Sequence, residues 1–454
     1  MNLVEIINKH KDDRNTALIC DEQEIKYYEL YKRVVLVAEK SYFRKQVVGL
    51  KVNNSIECVV ELFALWLNQN TVIMLDSNLT ELEYNKILSF CNAQGMIEFN
   101  NHETKITIFD FQFNKNKNME NIAVIIPTSG TTSSSKFINI SHSALIKGVE
   151  CTKKFSKRNE YSRDLILLSL VTRTALEGQL LVGLYLGEVI VLNHYILNPR
   201  KIVNLLLIHN ITHINVVPSI LRLIVKYIEN QTITFESLEM FIVVGENIDN
   251  ILCSKFYMNF KDVILLYGYG LTETGPIVFG EIKMWKNDIS VGNINHFPEV
   301  YIQEKKIDEN IYEIMVKSEM LMEGYYGCEA ESFVNGWFST GDLGRITKDG
   351  ELIIIGRIKN IINCAGKKIY PEEVEDLILQ SGYVEEVLVK GEKDKLVGEK
   401  VVAYVVAKKG KKVEVKEIKS YCKGKISEYK IPCEIYSVKN IEKNINGKKI
   451  RYHM

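Results

Sequence analysis

Several features that define other protein classes are scarce or missing in this chain of 454 residues. Seven prolines and 27 glycines are too few for a collagen-like protein or a proline-rich linker. Lysine plus arginine and aspartate plus glutamate both number 57, so the formal net charge is zero. A protein that mainly binds nucleic acid or anionic lipid needs a basic excess, and the balance therefore argues against both classes.

Long apolar segments are absent as well. The most apolar runs, Val59–Leu67 and Leu165–Val171, are much shorter than the roughly 20 residues that cross a bilayer. Charged residues interrupt every apolar stretch near the amino terminus, so no signal-peptide core is predicted. The nine cysteines form no CxxC pair and are odd in number, which argues against a zinc ribbon or a disulfide framework. These absences predict a cytoplasmic protein with no membrane span.

What the chain does contain is an alternation of short β-branched runs with amphipathic stretches. An amphipathic helix is predicted over Ser219–Ile228, where apolar residues repeat at helical spacing. Strand, helix and strand at this rhythm indicate an α/β domain with a mostly parallel sheet, in which ligands bind beyond the carboxyl ends of strands. The predicted buried strands are Ala123–Ile126, Leu165–Leu170, His213–Val217, Met240–Val244 and Val263–Leu266.

The last hundred residues have a different pattern, which indicates a small α+β module. Asp349-Gly350 predicts a turn before a strand at Glu351–Gly356, and Pro371 with acidic residues behind it predicts the start of a helix. The junction is predicted near Gly356–Asn360, which divides the chain into domains 1–357 and 358–454. Further predicted elements are strands at Val384–Val389, Lys400–Val406 and Cys433–Val438 and a helix at Val415–Ser427.

A polar loop follows the predicted strand Ala123–Ile126 and reads Pro127-Thr-Ser-Gly-Thr-Thr-Ser-Ser-Ser-Lys136. Its hydroxyls, backbone N–H groups and terminal ammonium are suited to surrounding a polyphosphate. It is not a Walker loop, because Ser135 replaces the second glycine and Phe137 replaces the Mg²⁺-binding Ser or Thr. A flexible Ser/Thr-rich turn is the alternative interpretation.

Two further segments carry residue types that suit a nucleotide. In Tyr267-Gly-Tyr-Gly-Leu-Thr-Glu-Thr-Gly-Pro276 an aromatic ring offers a face for a base, and Glu273 is an oxygen ligand for Mg²⁺. In Ser339-Thr-Gly-Asp-Leu-Gly-Arg345 we predict a tight turn that presents Asp342 to the two hydroxyls of a ribose. A glycine-rich connection and a simple cap or hairpin turn are the respective alternatives.

The segments Gly356-Arg-Ile-Lys-Asn360, which continues to Glu375, and Asn446-Gly-Lys-Lys-Ile-Arg451 complete the pattern. In their order and separations, the five segments resemble the adenylate-forming superfamily. This group contains acyl- and aryl-CoA synthetases, stand-alone adenylation domains and beetle luciferases. The resemblance extends from about Asn121 to Arg451. It implies an α/β fold, with a large amino-terminal domain of mostly parallel sheets and a small, mobile α+β carboxyl-terminal domain.

The resemblance also implies a role for each matching residue. Lys448 would bridge the reacting carboxylate and the α-phosphate, Thr272 would contact the α-phosphate, and Lys359 would be the hinge of the small domain. Glu273 would bind Mg²⁺. The residues implied in ATP binding are Thr128, Ser129, Gly130, Thr131, Thr132 and Lys136 at the phosphates, Gly245, Glu246, Asn247, Tyr269 and Gly270 at the adenine, and Asp342 and Arg357 at the ribose.

The implied reaction activates a carboxylic acid with ATP as an acyl-adenylate, releases pyrophosphate and then forms a thioester. The acceptor would be the phosphopantetheine thiol of CoA or of an acyl or peptidyl carrier protein. Attack of a carboxylate on a phosphate brings like charges together, so Lys448 and Mg²⁺ would neutralise them. Ser133 and Ser135 depart from the family loop and favour a second hypothesis, a non-catalytic acyl- or nucleotide-binding homologue.

The substrate side of the sequence is less specific. Arg173 is predicted to line the acid pocket or to contact the reacting carboxylate, and an ion pair with Glu177 four residues later is the alternative. Thr174 takes the place at which activators of α-amino acids carry an aspartate. A free α-amino acid is therefore not the expected substrate.

Overall fold

The computed structural model describes residues 2–100, 103–109, 119, 121–127, 136–193, 198–229, 231–282, 289–297, 300–308, 310–327, 333–408, 410–411, 413–443 and 449–451. Strands and helices alternate up to about residue 280, and strands dominate between 292 and 357. A second region of mixed strands and helices follows.

The strands are short in the first half of the chain and longer in the second. In chain order they are β1 Thr16–Cys20, β2 Gln23–Lys26, β3 Val47–Val52, β4 Thr71–Asp76, β5 Gly95–Asn100, β6 Glu103–Ile108, β7 Ile122–Pro127, β8 Phe137–Ser141, β9 Arg163–Ile166, β10 Val189–Leu192, β11 His213–Val216, β12 Met240–Val244 and β13 Ile264–Leu271. They continue with β14 Gly275–Glu281, β15 Gly292–Asn293, β16 Val300–Asp308, β17 Ile311–Ser318, β18 Gly324–Tyr325, β19 Phe333–Val334, β20 Trp337–Ile346, β21 Glu351–Arg357, β22 Ile362–Cys364, β23 Lys367–Ile369, β24 Val384–Asp394, β25 Gly398–Ala407 and β26 Glu434–Ser437.

Many helices begin at a side chain that accepts a hydrogen bond from the first turn, as Ser141 does for α5. The α-helices are α1 Val4–Asn8, α2 Tyr27–Lys40, α3 Ile56–Leu67, α4 Glu81–Phe90, α5 His142–Phe155, α6 Arg173–Ala175, α7 Val182–Leu186, α8 Pro199–Ile208, α9 Pro218–Ile228, α10 Asn250–Asn259, α11 Pro371–Gln380 and α12 Val415–Cys422. A π-helix covers Leu176–Leu181, and 3₁₀ turns cover Ile294–His296, Ile358–Asn360 and Glu428–Lys430.

Two large sheets with parallel centres form the amino-terminal part. The eight-stranded sheet has the order β14-β13-β12-β11-β9-β10-β1-β2, and its pairs from β13 to β1 are parallel. The seven-stranded sheet, β18-β8-β7-β4-β3-β5-β6, is parallel from β7 to β5. The predicted fold class, α/β with mostly parallel sheets, is confirmed.

A third sheet, which the sequence did not predict, is antiparallel and has the order β15-β21-β20-β17-β16. Its apolar face joins the core of the first two sheets through Ile314, Val316 and Phe338. The last sheet, β23-β22-β25-β24 with β26 beside β25, packs on α11 and α12 around a separate core. No helix among the described residues is long and apolar enough to cross a membrane.

Several predicted boundaries are wrong. The strand at Leu165–Leu170 ends at Ile166, because Ser169 and Thr172 form a turn in which the Thr172 hydroxyl donates to the Ser169 carbonyl at 2.8 Å. The strand at Val263–Leu266 continues to Leu271 because β14 pairs with it. The helix at Val415–Ser427 ends at Cys422, since Gly424 has a φ of 78°.

Candidate active site

A cavity of about 520 Å³ lies beyond the carboxyl ends of β11, β12 and β13. Its lining continues to Asp342 on β20, Arg357 on β21 and the acidic side chains of α11. The end of a parallel sheet is where α/β proteins bind ligands, as the sequence predicted for this sheet. The cavity therefore joins the large sheet to the carboxyl-terminal unit.

The segment Gly245-Glu246-Asn247 lines the cavity directly after β12. Gly245 has a φ of 89°, in the left-handed region that favours glycine, and there the chain turns away from the sheet. The buried Tyr267 hydroxyl donates hydrogen bonds to the Asn247 side-chain oxygen at 3.2 Å and to the Glu246 carbonyl at 3.3 Å. Tyr267 thus fixes the segment, a role that the sequence analysis did not assign to it.

Tyr269, Asp342 and Arg357 form one hydrogen-bonded group. The Tyr269 hydroxyl donates to Asp342 Oδ2 at 2.8 Å, and Arg357 Nε lies 2.6 Å from Asp342 Oδ1. Burial and the neighbouring Asp342 charge raise the pKa of Tyr269 well above its usual value, which keeps the phenol protonated as a donor. The predicted tight turn is wrong, because Asp342 lies within β20 and pairs with Arg357 across the ladder.

Thr272 and Glu273 occupy the turn between β13 and β14. The buried Thr274 closes this turn, because its hydroxyl accepts from the Leu271 N–H at 3.0 Å and donates to the Gly275 carbonyl at 2.9 Å. Thr272, Glu273 and Gly270 all line the cavity. The turn therefore holds these three residues at the end of β13.

Tyr325 connects Glu273 to Lys136, the last residue of the polar loop that follows β7. Its hydroxyl donates to Glu273 Oε1 at 3.2 Å, and the Lys136 ammonium lies 4.4 Å from the centre of its ring. The short strand β18 places Tyr325 beside β8, where Tyr325 pairs with Ile138. No local signal in the sequence singles out Tyr325, because the strand pairing that positions it joins distant segments.

The described residues contain no group of three or more His, Cys, Asp or Glu that could hold a metal ion by themselves. Glu273 contributes one carboxylate at the cavity wall. Mg²⁺ is commonly held by one or two carboxylates together with substrate phosphates. The donor set at Glu273 thus suits Mg²⁺ in the company of a bound polyphosphate.

Six predicted site residues lie outside the described residues. Lys443 and Lys449 flank one such gap; both line the cavity, and the Lys449 backbone N–H donates to Glu246 Oε1 at 3.0 Å. Pro127 and Lys136 flank the other gap, and Pro127 lines the cavity. The predicted residues outside the described ranges are Thr128, Ser129, Gly130, Thr131, Thr132 and Lys448.

Arg173 is buried at the cavity wall and makes the predicted alternative contact. Its Nε lies 2.8 Å from Glu177 Oε2, so the two side chains form an ion pair. Its Nη1 and Nη2 donate to the carbonyls of Thr272 at 3.0 Å and Met320 at 2.8 Å. Arg173 lines the pocket as predicted, but Glu177 neutralises its charge and it braces the turn that carries Thr272.

Two glycines make room for this ion pair. A Cβ at Gly148 would lie 2.1 Å from Glu177 Oε1, and a Cβ at Gly275 would lie 2.7 Å from Arg173 Nη2. Gly275 also has a φ of 68°, a conformation that side chains with a Cβ rarely adopt. Both positions therefore require glycine as long as Arg173 and Glu177 occupy this place.

The predicted hinge, Lys359, lies in the 3₁₀ turn Ile358–Asn360 directly after β21. The next side chain, Asn360, donates to Glu372 Oε1 on α11 at 3.0 Å. Arg451 Nη1 lies 2.6 Å from Glu375 Oε1 on the same helix, although the sequence analysis gave neither residue a role. The turn and the end of the chain are thus both attached to α11.

Comparison with protein-family models gives two matches. The model described as "AMP-binding enzyme" matches residues 6–326, which is more than two thirds of the chain. The model described as "AMP-binding enzyme C-terminal domain" matches residues 373–448.

Curated relatives agree with these matches. The 4-coumarate–CoA ligase 3 of Oryza sativa subsp. japonica is 28% identical over 354 residues, which cover 73% of this chain and 63% of the relative. The mitochondrial medium-chain acyl-CoA ligase ACSF2 of Mus musculus is 28% identical over 339 residues, covering 71% of this chain and 55% of the relative. The matches thus span between about a half and two thirds of these relatives.

Solved structures share the fold over nearly the whole chain. The o-succinylbenzoate CoA synthetase MenE of Bacillus subtilis, in complex with an acyl-adenylate intermediate, has a TM-score of 0.84 at 23% identity, covering 100% of this chain and 97% of that chain. The ATP-bound MatB of Rhodopseudomonas palustris has a TM-score of 0.86 at 20% identity, covering 99% and 97%. The resemblance found in the sequence is confirmed: this chain belongs to the AMP-binding enzyme family.

Proposed function

We propose that this protein is an acid–thiol ligase, which activates a carboxylic acid with ATP as an acyl-adenylate, releases pyrophosphate and then forms a thioester. The observation that carries the proposal is the convergence of Tyr269, Asp342 and Arg357 with Thr272 and Glu273 on one cavity. The two relatives from Oryza sativa and Mus musculus are both named as CoA ligases, which supports the same reaction.

In this proposal the nucleotide lies along the carboxyl ends of β12 and β13. Gly245–Asn247 and Tyr269 border the adenine, with Gly270 leaving space beside the ring. Asp342 accepts hydrogen bonds from the ribose hydroxyls, and Arg357 pairs with its carboxylate and holds it in place. The residues 128–132 with Lys136 surround the phosphates.

The reacting centre needs positive charge, because a carboxylate attacks a phosphate. Mg²⁺, when bound by Glu273 and the phosphate oxygens, supplies part of this charge. Lys448 supplies the rest by bridging the carboxylate and the α-phosphate, and Thr272 donates to the α-phosphate. Arg173 acts indirectly, since it fixes the Thr272 carbonyl and is itself neutralised by Glu177.

The second half-reaction uses the same cavity after a movement of the carboxyl-terminal domain. We place the boundary of this domain at 357/358 and its hinge at Lys359. The separate core that begins with Ile362 supports a unit that moves as one body. CoA is the favoured acceptor, since the relatives are named as CoA ligases, and the phosphopantetheine arm of a carrier protein is the other candidate.

We place the protein in the cytoplasm. The eight cysteines within the described ranges are all free thiols, which suits a reducing compartment. Fractionation of the source cells with an antibody to this chain tests the assignment, and recovery of the protein in an oxidising compartment contradicts it.

The experiment that tests the ligase proposal measures pyrophosphate release with ATP and Mg²⁺ across aryl, short-chain, long-chain, β-amino and α-amino acids. The variant Lys448→Ala should abolish release while leaving thioester formation from a supplied acyl-adenylate largely intact. An equivalent substitution at the exposed Lys439 is its control. Glu273→Gln should weaken the Mg²⁺-dependent turnover, and the exposed Glu323→Gln should not.

The outcomes separate the hypotheses. Release with one class of acid that is lost in Lys448→Ala supports the ligase. Loss of both half-reactions in that variant contradicts the assigned role of Lys448. Absence of release together with absence of ATP binding in calorimetry supports the non-catalytic homologue instead.

A further inference from the structure

The inner end of the cavity is formed by Thr152, Glu177, Gly178 and Asn215, and we call this group the polar floor. Its members come from α5, the π-helix and β11, all within the core of the amino-terminal part. The three side chains of the floor are each less than 5% exposed. The opposite end of the cavity is bordered by β20, β21 and α11.

The members of the polar floor adjoin one another. The His213 ring bonds the Ser156 carbonyl at 3.0 Å, which fixes the start of β11 against the end of α5. Asn215 lies two residues beyond His213 on the same face of the strand, and Thr152 lies one turn before Ser156 on the same face of the helix. A Cβ placed on Gly178 would lie 3.8 Å from Asn215 Nδ2, so Gly178 borders the amide directly.

Asn215 lacks the hydrogen bonds that a buried amide requires. Its side chain is 4% exposed, and its Oδ1 is buried without a partner in the described part of the chain. Buried polar groups are nearly always hydrogen-bonded, because an unpaired one costs free energy. Asn215 Nδ2 borders the open space beside Gly178 at the cavity wall, so a bound ligand can accept a hydrogen bond from this atom.

The charge of the polar floor is already balanced. Glu177 pairs with Arg173 at 2.8 Å, and the other Arg173 nitrogens bond two carbonyls. A second carboxylate or an ammonium placed here would be buried without a counter-ion of its own, which is unfavourable. Leu168, Val171, Val217, Ile242 and Val244 form an apolar part of the wall, and the charge of Arg222, which also lines the cavity, is paired with Asp249 at 2.6 Å.

We propose that the substrate is an acid with an apolar body and an uncharged hydrogen-bonding group, such as a hydroxyl or a carboxamide, at the end remote from its carboxylate. This inference rests on the proposed ligase function and names its substrate class. Asn215 and Thr152 bind the remote group, and the apolar walls enclose the body. Hydrocarbon acids of the same length leave the Asn215 amide unpaired and bind more weakly.

The test compares matched acids that differ only at the remote end. The sets are unsubstituted, ω-hydroxy, ω-carboxamide, ω-carboxylate and ω-amino alkanoic acids of four to ten carbons, with benzoate and cinnamate beside their 4-hydroxy forms. We expect kcat/KM for pyrophosphate release to favour the uncharged polar member by about tenfold or more in at least one set. Preference for the hydrocarbon, dicarboxylate or amino member overturns the inference.

The variant Asn215→Leu tests whether the Asn215 amide is responsible for the preference for the uncharged polar acid. It should lower kcat/KM for the preferred polar acid by about tenfold, raise it for the hydrocarbon partner and leave the KM for ATP unchanged. The matched control is Asn193→Leu, which replaces another buried asparagine that does not line the cavity. If Asn215→Leu does not fold, Thr152→Val removes a floor hydroxyl at nearly constant shape and should reduce the same preference.

Different results would contradict the role of the polar floor and the proposed function. If Asn215→Leu and Thr152→Val both turn over acids with the same preference as the parent protein, the proposed role of the polar floor is contradicted. The ligase proposal is then unaffected. If no acid gives pyrophosphate release and calorimetry shows no ATP binding, the ligase is contradicted, and the floor is then tested by thermal shift with the same acids. In that test, equal shifts from the polar and hydrocarbon members overturn it, and a larger shift from the polar member that Asn215→Leu removes supports it.

Discussion

The two ends of the cavity are built in different ways. At the inner end, Arg173, Glu177 and Asn215 are buried polar side chains whose neighbours in the chain belong to one hydrophobic core. Arg158 fixes the same region by donating to the Gly178 carbonyl at 3.0 Å. At the outer end, Asp342 pairs with Arg357 beside α11. Arg451, which is far from this helix in the sequence, pairs with Glu375 on α11. The inner end is therefore rigid and suited to selecting an acid. The outer end depends on contacts between separate units, and such contacts are easier to rearrange.

The largest expected effect comes from removing the charge that balances Glu177. Arg173→Met should lower the free energy of unfolding by about 3 to 5 kcal/mol, because Glu177 is then buried without a counter-ion. Turnover should fall as well, since Thr272 loses its brace. Urea denaturation and pyrophosphate release measure the two effects.

The matched double variant Arg173→Met/Glu177→Leu separates charge from bracing. It should recover most of the stability, because no unpaired charge remains, but little of the turnover. Full recovery of turnover would show that Arg173 does not position Thr272.

The outer end is tested by Asp342→Asn. The amide cannot accept from Tyr269 and Arg357 as a carboxylate does, so the KM for ATP should rise by about 10- to 100-fold, equivalent to roughly 1.4 to 2.7 kcal/mol. Stability should change less than in Arg173→Met. Asp349→Asn, at the exposed turn between the same two strands, is the control and should leave the KM unchanged.

The inner end should also respond to pH through His213. Burial, helped by the charge of Arg158, lowers the pKa of His213 to about 3, so the folded protein keeps this ring neutral. The unfolded chain takes up the proton near pH 6.5, and stability should therefore be complete above that pH and fall as the pH decreases towards 3.

The contribution of His213 is isolated with His213→Gln, measured by urea denaturation at pH 7.5 and pH 5. The variant should lose about 2 kcal/mol less than the parent protein between these two values. The exposed His296→Gln is the control. Parallel pH profiles for all three proteins would contradict the burial of a neutral His213.

The smallest effect on stability and turnover is expected at a surface ion pair between the amino-terminal part and the carboxyl-terminal unit. Lys226 on α9 lies 2.5 Å from Glu385 on β24, and both side chains are partly exposed. Lys226→Ala should change stability by less than about 1 kcal/mol and turnover by less than about twofold, since exposed ion pairs contribute little. A loss as large as that of Arg173→Met would mean that the units form one rigid body.

The sequence predicted best those features that local pattern determines. The strand Met240–Val244 was predicted with its observed bounds, because a β-branched run of this length between polar segments is typical of a buried strand. Asp342 was assigned to a turn because Thr-Gly-Asp has turn composition, whereas its pairing with Arg357 depends on strands that meet only in the folded chain.

Other parts of the site left no local signal. Asn215 is a single polar residue within an apolar strand, and only the packing of α5 and the π-helix shows that it borders a cavity. Arg173 was singled out in the sequence, yet its partners at Thr272 and Met320 are 99 and 147 residues away in the chain. Such contacts follow from tertiary structure and not from residue periodicity.

The close approach of Gly148 to Glu177 has a consequence for redesign. Because a methyl group at position 148 would overlap a Glu177 carboxylate oxygen, a substitution at this position of α5 depends on the side chain at position 177 of the π-helix. A larger side chain at position 148 therefore requires changes at Glu177 and at its partner Arg173, whereas Gly275 is retained because of its φ of 68°. Redesign of this part of the cavity wall therefore treats positions 148, 173 and 177 as one group and leaves Gly275 unchanged.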